Sequence, residues 1–412
     1  MTIKTAVLLG GGSSSRFYPF NRFNKSTISL MGKSLFQRTI EGLKEAGIET
    51  IIVIDDSKNS LSHAFSSNVS GVTFITQKES LGMGDALLLA KDYISENSFF
   101  VLSSYHFEFS LFAQEMVDAR NSDSDIVIVT KQDIETSQFG GISVANGKVQ
   151  VHEKSDKSFA SRIVAMYLLN TAFLETLTDK SVAHYNFEEA ISDYAHGGIV
   201  LLEAKRNTIS LKFPWDLLSV KDYLLENMHD YRATDSEISE SAKISGTVYI
   251  SKGVKIMDGA VITGPAYLGE NVYVGSNAIL RGGVVLERGV VIGAGMEVKN
   301  SVVFDESTTH SGFIGDSVIG KKVKIAAGFI TGNVRIDRKD ISTFVKNEKI
   351  STNRKYLGVF IGDDCSVGIH VGTMPGVIIG SNVVIGPGTT VMRNVSENMS
   401  YYTEFKEIIE KN

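Results

Sequence analysis

The sequence predicts an α/β domain followed by a parallel β-helix, and three observations carry that prediction. Starting at Ile238 and stepping by six, the stops are Ile244, Ile250, Ile256, Ile262, Leu268, Val274, Leu280, Leu286, Ile292 and Val298. A composition that is 43% hydrophobic gives eleven such stops by chance about once in ten thousand tries. The second observation is a glycine-rich loop, Gly10-Gly11-Gly12-Ser13-Ser14-Ser15-Arg16, directly after an apolar run of strand length. The third is a polar, acidic stretch, Arg232–Ser241, between these two regions.

Neither a helix, with period 3.6, nor a strand, with period 2, produces a beat of six. Short strands joined by tight turns do, with one inward aliphatic per strand. Glycines such as Gly246, Gly253 and Gly259 supply the turns. One coil cannot bury its own core, so stacking is obligatory. The beat resumes at Ile361, Val367, Ile379, Ile385 and Val391, with Thr373 out of step. Between the two arrays, Arg335–Lys355 breaks the period and is basic, with Arg335, Arg338, Lys339, Lys346, Lys349, Arg354 and Lys355. That pattern suits a loop thrown from the coil, either solvated or close to an anionic ligand. Tyr401–Asn412 reads as a short terminal helix.

In the first domain, Thr5–Leu9 reads as a buried strand, Ser34–Ala46 as a helix and Glu49–Ile54 as a second strand. Strand, glycine loop, helix, strand is the βαβ pattern of a nucleotide-binding domain. Backbone N–H groups of such a loop can hold phosphates, and Arg16 adds a charged fork. Further along, helices are expected over Phe187–Ala195 and Asp216–Tyr231. The predicted domains are 1–231 and 232–412.

Bulk properties narrow the function classes. The net charge of −6 argues against a nucleic-acid partner. A single cysteine, Cys365, excludes an internal disulfide. No apolar run is long enough to span a bilayer, and the N-terminus lacks a signal-peptide pattern, so a cytoplasmic protein without membrane association is expected. His63, His106 and His196 read as structural or solvated, and the pair Glu188-Glu189 as a solvated helix face. Arg281 and Lys299 are eighteen apart. If three hexads make one turn, they stack on adjacent layers as an anion clamp.

The stretch Leu9–Leu35 resembles the signature loop of sugar-1-phosphate nucleotidylyltransferases, through Gly12-Ser13-Ser14-Ser15-Arg16, Pro19, Asn24-Lys25 and Gly32-Lys33-Ser34-Leu35. The resemblance implies a Rossmann-like nucleotidyltransferase domain. Gly11, Gly12, Arg16, Lys25, Gln77 and Gly82 would hold the nucleotide, with Gln77 reading a pyrimidine. Gly140, Glu153 and Lys154 would hold the sugar. Several positions depart from the family pattern: Ser14 replaces a glycine, Asn24 a proline and Met83 a threonine. The family holds a divalent ion such as Mg²⁺ with two aspartates. Here Ser104-Tyr105 stands in the first Gly-Asp position, and Ser210 takes the place of the second aspartate.

The coil resembles bifunctional glucosamine-1-phosphate acetyltransferase/N-acetylglucosamine-1-phosphate uridylyltransferases, including archaeal-type members. The shared segments are Thr309-His310-Ser311-Gly312-Phe313-Ile314-Gly315-Asp316 and Ala326-Ala327-Gly328-Phe329-Ile330-Thr331-Gly332-Asn333. This implies a left-handed β-helix and a homotrimer. His310 would be the general base for the sugar amine. Arg281, Lys299, Asn333 and Lys339 would bind the sugar phosphate, and Ala327 would contact acetyl-CoA. Phe313 and Lys324 replace a family tyrosine and asparagine. Three functions stand open: acetyl transfer from acetyl-CoA with nucleotidyl transfer from UTP or another nucleoside triphosphate; acetyl transfer alone beside a degenerate binding domain; or a non-enzymatic trimeric scaffold.

Overall fold

The computed structural model describes residues 3–406 and 409, apart from 13, 66–68, 133–140, 146–147, 153–160 and 182. The chain forms two compact units, one of 1–13, 23–29 and 33–209, the other of 14–22, 30–32 and 210–412.

The first unit is built on a nine-stranded sheet. Thr5–Leu9 lies between Thr50–Asp55 and Ser98–Ser103, parallel to both. Buried on both faces, these strands read as continuous apolar runs rather than alternating ones. Ser161–Asn170 runs antiparallel between Ser98–Ser103 and Ile126–Gln132. The helix Leu35–Glu45 starts where expected because the Ser34 side chain accepts the Gln37 N–H at 3.1 Å.

The second unit is the coil. Its strands lie on three parallel sheets of eight, nine and eight strands, the faces of a left-handed β-helix. Every aliphatic from Ile250 to Val298 in the beat of six is buried in one continuous core, with Ile238 and Ile244 packed against its end. At the corners, asparagines in the left-handed backbone region, Asn271 and Asn277, stack under glycines. A Cβ on Gly253 or Gly259 would strike the amide oxygen of the asparagine one layer below, so glycine is required there.

The rungs shorten in steps in the first array, with Val285 already pairing with Val302, seventeen residues on. Arg281 pairs with Lys299 eighteen residues on, but Lys299 pairs with Gly315, two residues short of a full rung. Full rungs return after the excursion, where Phe360 pairs with Ile378. The excursion is an antiparallel hairpin of Ser342–Val345 and Glu348–Ser351.

Three expectations change. The polar stretch after Tyr231 is not a linker: Tyr231–Arg232 and Glu237–Ile238 already pair with the next rung, because backbone pairing tolerates outward polar side chains. The helix expected over Asp216–Tyr231 ends at Glu226 and belongs to the second unit. Among the described residues of 401–412 there is no helix. Instead Ser400–Tyr401 adds a strand to the last rung, pairing with Val384–Ile385. No helix among the described residues is long and apolar enough to cross a membrane.

The inward column makes a direct prediction. Ile256→Ala should lower stability by about 2–5 kcal/mol, read as a fall in the urea midpoint. Lys255→Ala, one residue earlier and facing outward in an exposed pair with Glu237, should change it by under about 1 kcal/mol.

Candidate active site

Strand alternation decides which side chains leave the coil. In Ile279–Arg281, Leu280 points in and Arg281 out. In Met296–Lys299, Met296 and Val298 point in while Glu297 and Lys299 point out. The pairing of Arg281 with Lys299 then places two cations one layer apart on one face. Each has a carboxylate. The Arg281 Nε donates to Glu297 Oε1 at 2.8 Å, and the Lys299 ammonium meets Asp316 Oδ2 at 3.1 Å.

Asp316 is the hub of this face. It is buried, and it occupies a corner in the left-handed backbone region. Its Oδ2 also accepts from Asn333 Nδ2 at 2.6 Å, and its Oδ1 from Asn300 Nδ2 at 2.6 Å. The Lys299 ammonium lies 4.9 Å from the centre of the Tyr356 ring. On the next rung the column continues as Gly315. A Cβ there would sit 2.9 Å from Asn333 Nδ2 and 2.5 Å from the Phe313 ring, so glycine lets both close over the site.

His310 follows the strand Thr308–Thr309, with its N–H bonded to Ile325 O at 3.0 Å and its side chain exposed. It lines a groove of about 840 Å³ with Thr308, Lys324, Ser366 and Pro387. Ala327 adjoins Ala326, another residue of that groove, and its carbonyl accepts the His370 N–H at 2.8 Å. Lys339 is exposed on the excursion, its N–H 3.3 Å from Asp337 Oδ1. Arg281, Lys299 and Asn333 are thus drawn into one cluster, while His310 and Lys339 lie on a neighbouring corner and on the excursion.

In the first unit, Gln77 is buried and its orientation is fixed. Its Nε2 donates to Asp85 Oδ2 at 2.8 Å and to Gly82 O at 3.3 Å. A carboxylate only accepts, so the amide oxygen must point the other way, toward Gly11. A Cβ on Gly11 would lie 2.9 Å from that oxygen. Gly12 has φ +110° with open space around it. Asn24 bonds Gly10 O and caps the turn that carries Lys25. Arg16 lies on the turn Ser15–Phe17, which belongs to the second unit. Gly140, Glu153 and Lys154 lie outside the described residues.

The residues at the metal positions do not fit a divalent ion. Ser104 is buried and shares a 2.7 Å hydrogen bond with Ser26. The Lys25 ammonium lies 4.6 Å from the centre of the Tyr105 ring, so a cation already faces that side chain. The Ser210 hydroxyl is 3.5 Å from Asp216 Oδ2, which is occupied by the N–H groups of Lys212 and Phe213. Among the described residues, no three or more His, Cys, Asp or Glu gather where they could hold a metal. A hard cation prefers carboxylate oxygen, and these positions offer hydroxyls. The nearby His106 bonds Glu108 at 3.0 Å, both buried, and Glu108 also accepts the Ile209 N–H, which is a structural use of the pair.

Sequence reasoning gave no site role to Asn300, Asp316 or Lys221. Asp316 carried a signal, since it closes the Gly-Asp step after His310. Lys221 carried another: it sits four residues from both Leu217 and Leu225, on the apolar face of its helix.

Comparison with known proteins agrees with both units. The nucleotidyl transferase family model matches residues 5–229, and the bacterial transferase hexapeptide model matches 265–300 and 358–393. The bifunctional protein GlmU of Methanococcus maripaludis strain C7 is 33% identical over 98% of this chain and 99% of its own length. The bifunctional sugar-1-phosphate nucleotidylyltransferase/acetyltransferase of Sulfurisphaera tokodaii is 29% identical over 98% of this chain and all of its own. With both family models in chain order and relatives aligned end to end, this chain belongs to the GlmU-like family of bifunctional sugar-1-phosphate nucleotidylyltransferase/acetyltransferases.

Proposed function

We propose that the coil N-acetylates an amino-sugar-1-phosphate, with acetyl-CoA as the donor. The observation that carries this reading is the stacked pair Arg281 and Lys299, with Lys299 and Asn333 both bonded to Asp316. Two fixed cations one layer apart suit a phosphate dianion. Each retains donors beyond its carboxylate bond, since Lys has three and Arg five. His310 takes the proton of the sugar amine as the amine attacks the thioester carbonyl. The C–N bond forms, the C–S bond breaks, and the coenzyme A sulfur leaves with its electron pair and is protonated. Backbone N–H groups are the donors a coil of this kind can offer to the oxyanion. The groove beside His310 suits the long arm of the donor. Hexapeptide repeats favour a homotrimer, which would bring a second chain near His310.

The first unit has the scaffold of nucleotidyl transfer, and the family's activity there supports UTP as substrate. With Nε2 locked on Asp85, Gln77 offers an acceptor that matches the N3–H of uracil. One observation favours a second reading: Tyr105, already facing the Lys25 ammonium, stands at a position where the family holds the ion that neutralises a triphosphate. On this reading the unit binds a uridine nucleotide without transferring it.

Two outcomes are expected. Glucosamine-1-phosphate with acetyl-CoA should release free thiol, and His310→Ala should slow the release by about 10²–10⁴-fold. No release with any hexosamine phosphate would sink the coil reading. For the first unit, UTP, N-acetylglucosamine-1-phosphate and Mg²⁺ separate the alternatives. Pyrophosphate release supports transfer. Nucleotide binding that EDTA alters by less than about twofold, with no pyrophosphate, supports binding alone. In both cases Gln77→Ala should weaken uridine nucleotides about tenfold, as loss of one buried hydrogen bond does.

A further inference from the structure

The acceptor cluster is tied to an element outside the coil strands. Lys221 lies on the helix Asp216–Glu226, between Leu217 and Leu225, and its side chain has no solvent exposure. Burying an ammonium costs several kcal/mol unless it is fully paired. Here the ammonium donates to Asn300 Oδ1 at 2.6 Å, Gly283 O at 3.0 Å and Asp222 Oδ1 at 2.5 Å, using all three donors. Gly283 has φ +87°, and a Cβ there would lie 2.9 Å from the ammonium nitrogen, so the corner is shaped to admit it.

The polarity of these bonds has a consequence. An ammonium only donates, so it fixes Asn300 with its oxygen toward Lys221. The Asn300 NH₂ must then face Asp316, where it meets Oδ1 at 2.6 Å. With Oδ1 engaged, Oδ2 is left to Lys299 and Asn333. Every donor and acceptor in this chain has one possible direction, fixed at one end by the Lys221 ammonium and at the other by the Asp316 carboxylate. The same helix has a second tie: Arg354 donates to Ser219 at 2.5 Å, two residues before Tyr356, whose ring faces Lys299.

We infer that Lys221 is a positioning residue of the acceptor site: it orients Asn300 and, through Asn300 and Asp316, places Lys299 and Asn333 for the sugar phosphate. This rests on reading that cluster as the sugar-phosphate site. The helix carries no group to the reacting atoms. Its lysine acts by anchoring the oxygen of one amide whose NH₂ is held by the Asp316 carboxylate.

The test uses the full chain, with calorimetric titration of glucosamine-1-phosphate and steady-state acetyl transfer. Lys221→Met keeps the length of the side chain and removes its donors. Both Kd and KM for the sugar phosphate should rise about tenfold, with kcat and the acetyl-CoA KM unchanged. Asn300→Asp is the second variant. It still accepts from Lys221 but turns a carboxylate toward Asp316, so the same KM should rise although the lysine stays paired. This variant decides the matter if Lys221→Met does not fold. Combining the two should add little, as for groups acting in one chain. Unchanged sugar-phosphate Kd and KM in Asn300→Asp would overturn the inference, as would an equal loss for both substrates, the mark of a general structural role. If the unsubstituted protein fails to bind glucosamine-1-phosphate, the reading of the site falls, and the inference with it.

Discussion

The constraint on which the coil depends is the continuous column of inward aliphatic side chains. A short parallel strand has too little surface to be stable alone, and only the next rung supplies the apolar face it needs. Stacking therefore forces register: each inward residue must sit over the one a rung below. Once Leu280 lies over Val298, the outward neighbours Arg281 and Lys299 have no freedom to be elsewhere. Two like charges at that spacing repel, and the cost is met by Glu297 and Asp316. Core packing thus assembles a cationic pair that electrostatics alone would disperse.

The shortened rung after Lys299 adds what a perfectly regular coil would lack. Losing two residues places Gly315 where another side chain would stand and turns Asp316 inward at the corner. A buried carboxylate is stable only with enough donors, and it has three in Lys299, Asn300 and Asn333. Low dielectric strengthens each of these bonds and penalises any that is lost. Burial pushes the pKa of Lys221 down, while its carboxylate partner opposes the shift. Only the charged form donates three times without accepting, and the Asp316 carboxylate holds Asn300 in the same sense from its other end.

The first unit separates scaffold from chemistry. Its sheet is determined by apolar runs such as Thr5–Leu9 and Phe99–Leu102, and these are intact. Its first expected metal position lies just past the end of the strand Ser98–Ser103. Ser104 makes a good hydrogen bond with Ser26, and Tyr105 a good cation–π contact with Lys25, so the site is repacked rather than left open. A domain can in this way keep its glycine loop and its buried amide while other positions around them are repacked.

The sequence by itself determined the architecture, because a period of six and a βαβ pattern are properties of residue order. It also determined the eighteen-residue interval from Arg281 to Lys299, since a fixed rung converts spacing into contact. It misjudged 232–241 and the start of the last stretch at Tyr401, where local composition conceals backbone pairing that only a neighbouring rung can provide. Asp316, Asn300 and Lys221 became a unit only in three dimensions. Their separations of sixteen and seventy-nine residues follow no period, and what joins them is the burial of one ammonium against one corner of the coil. Local order sets which face a side chain takes, but the partner of a buried charge is chosen by the fold that removes water from it.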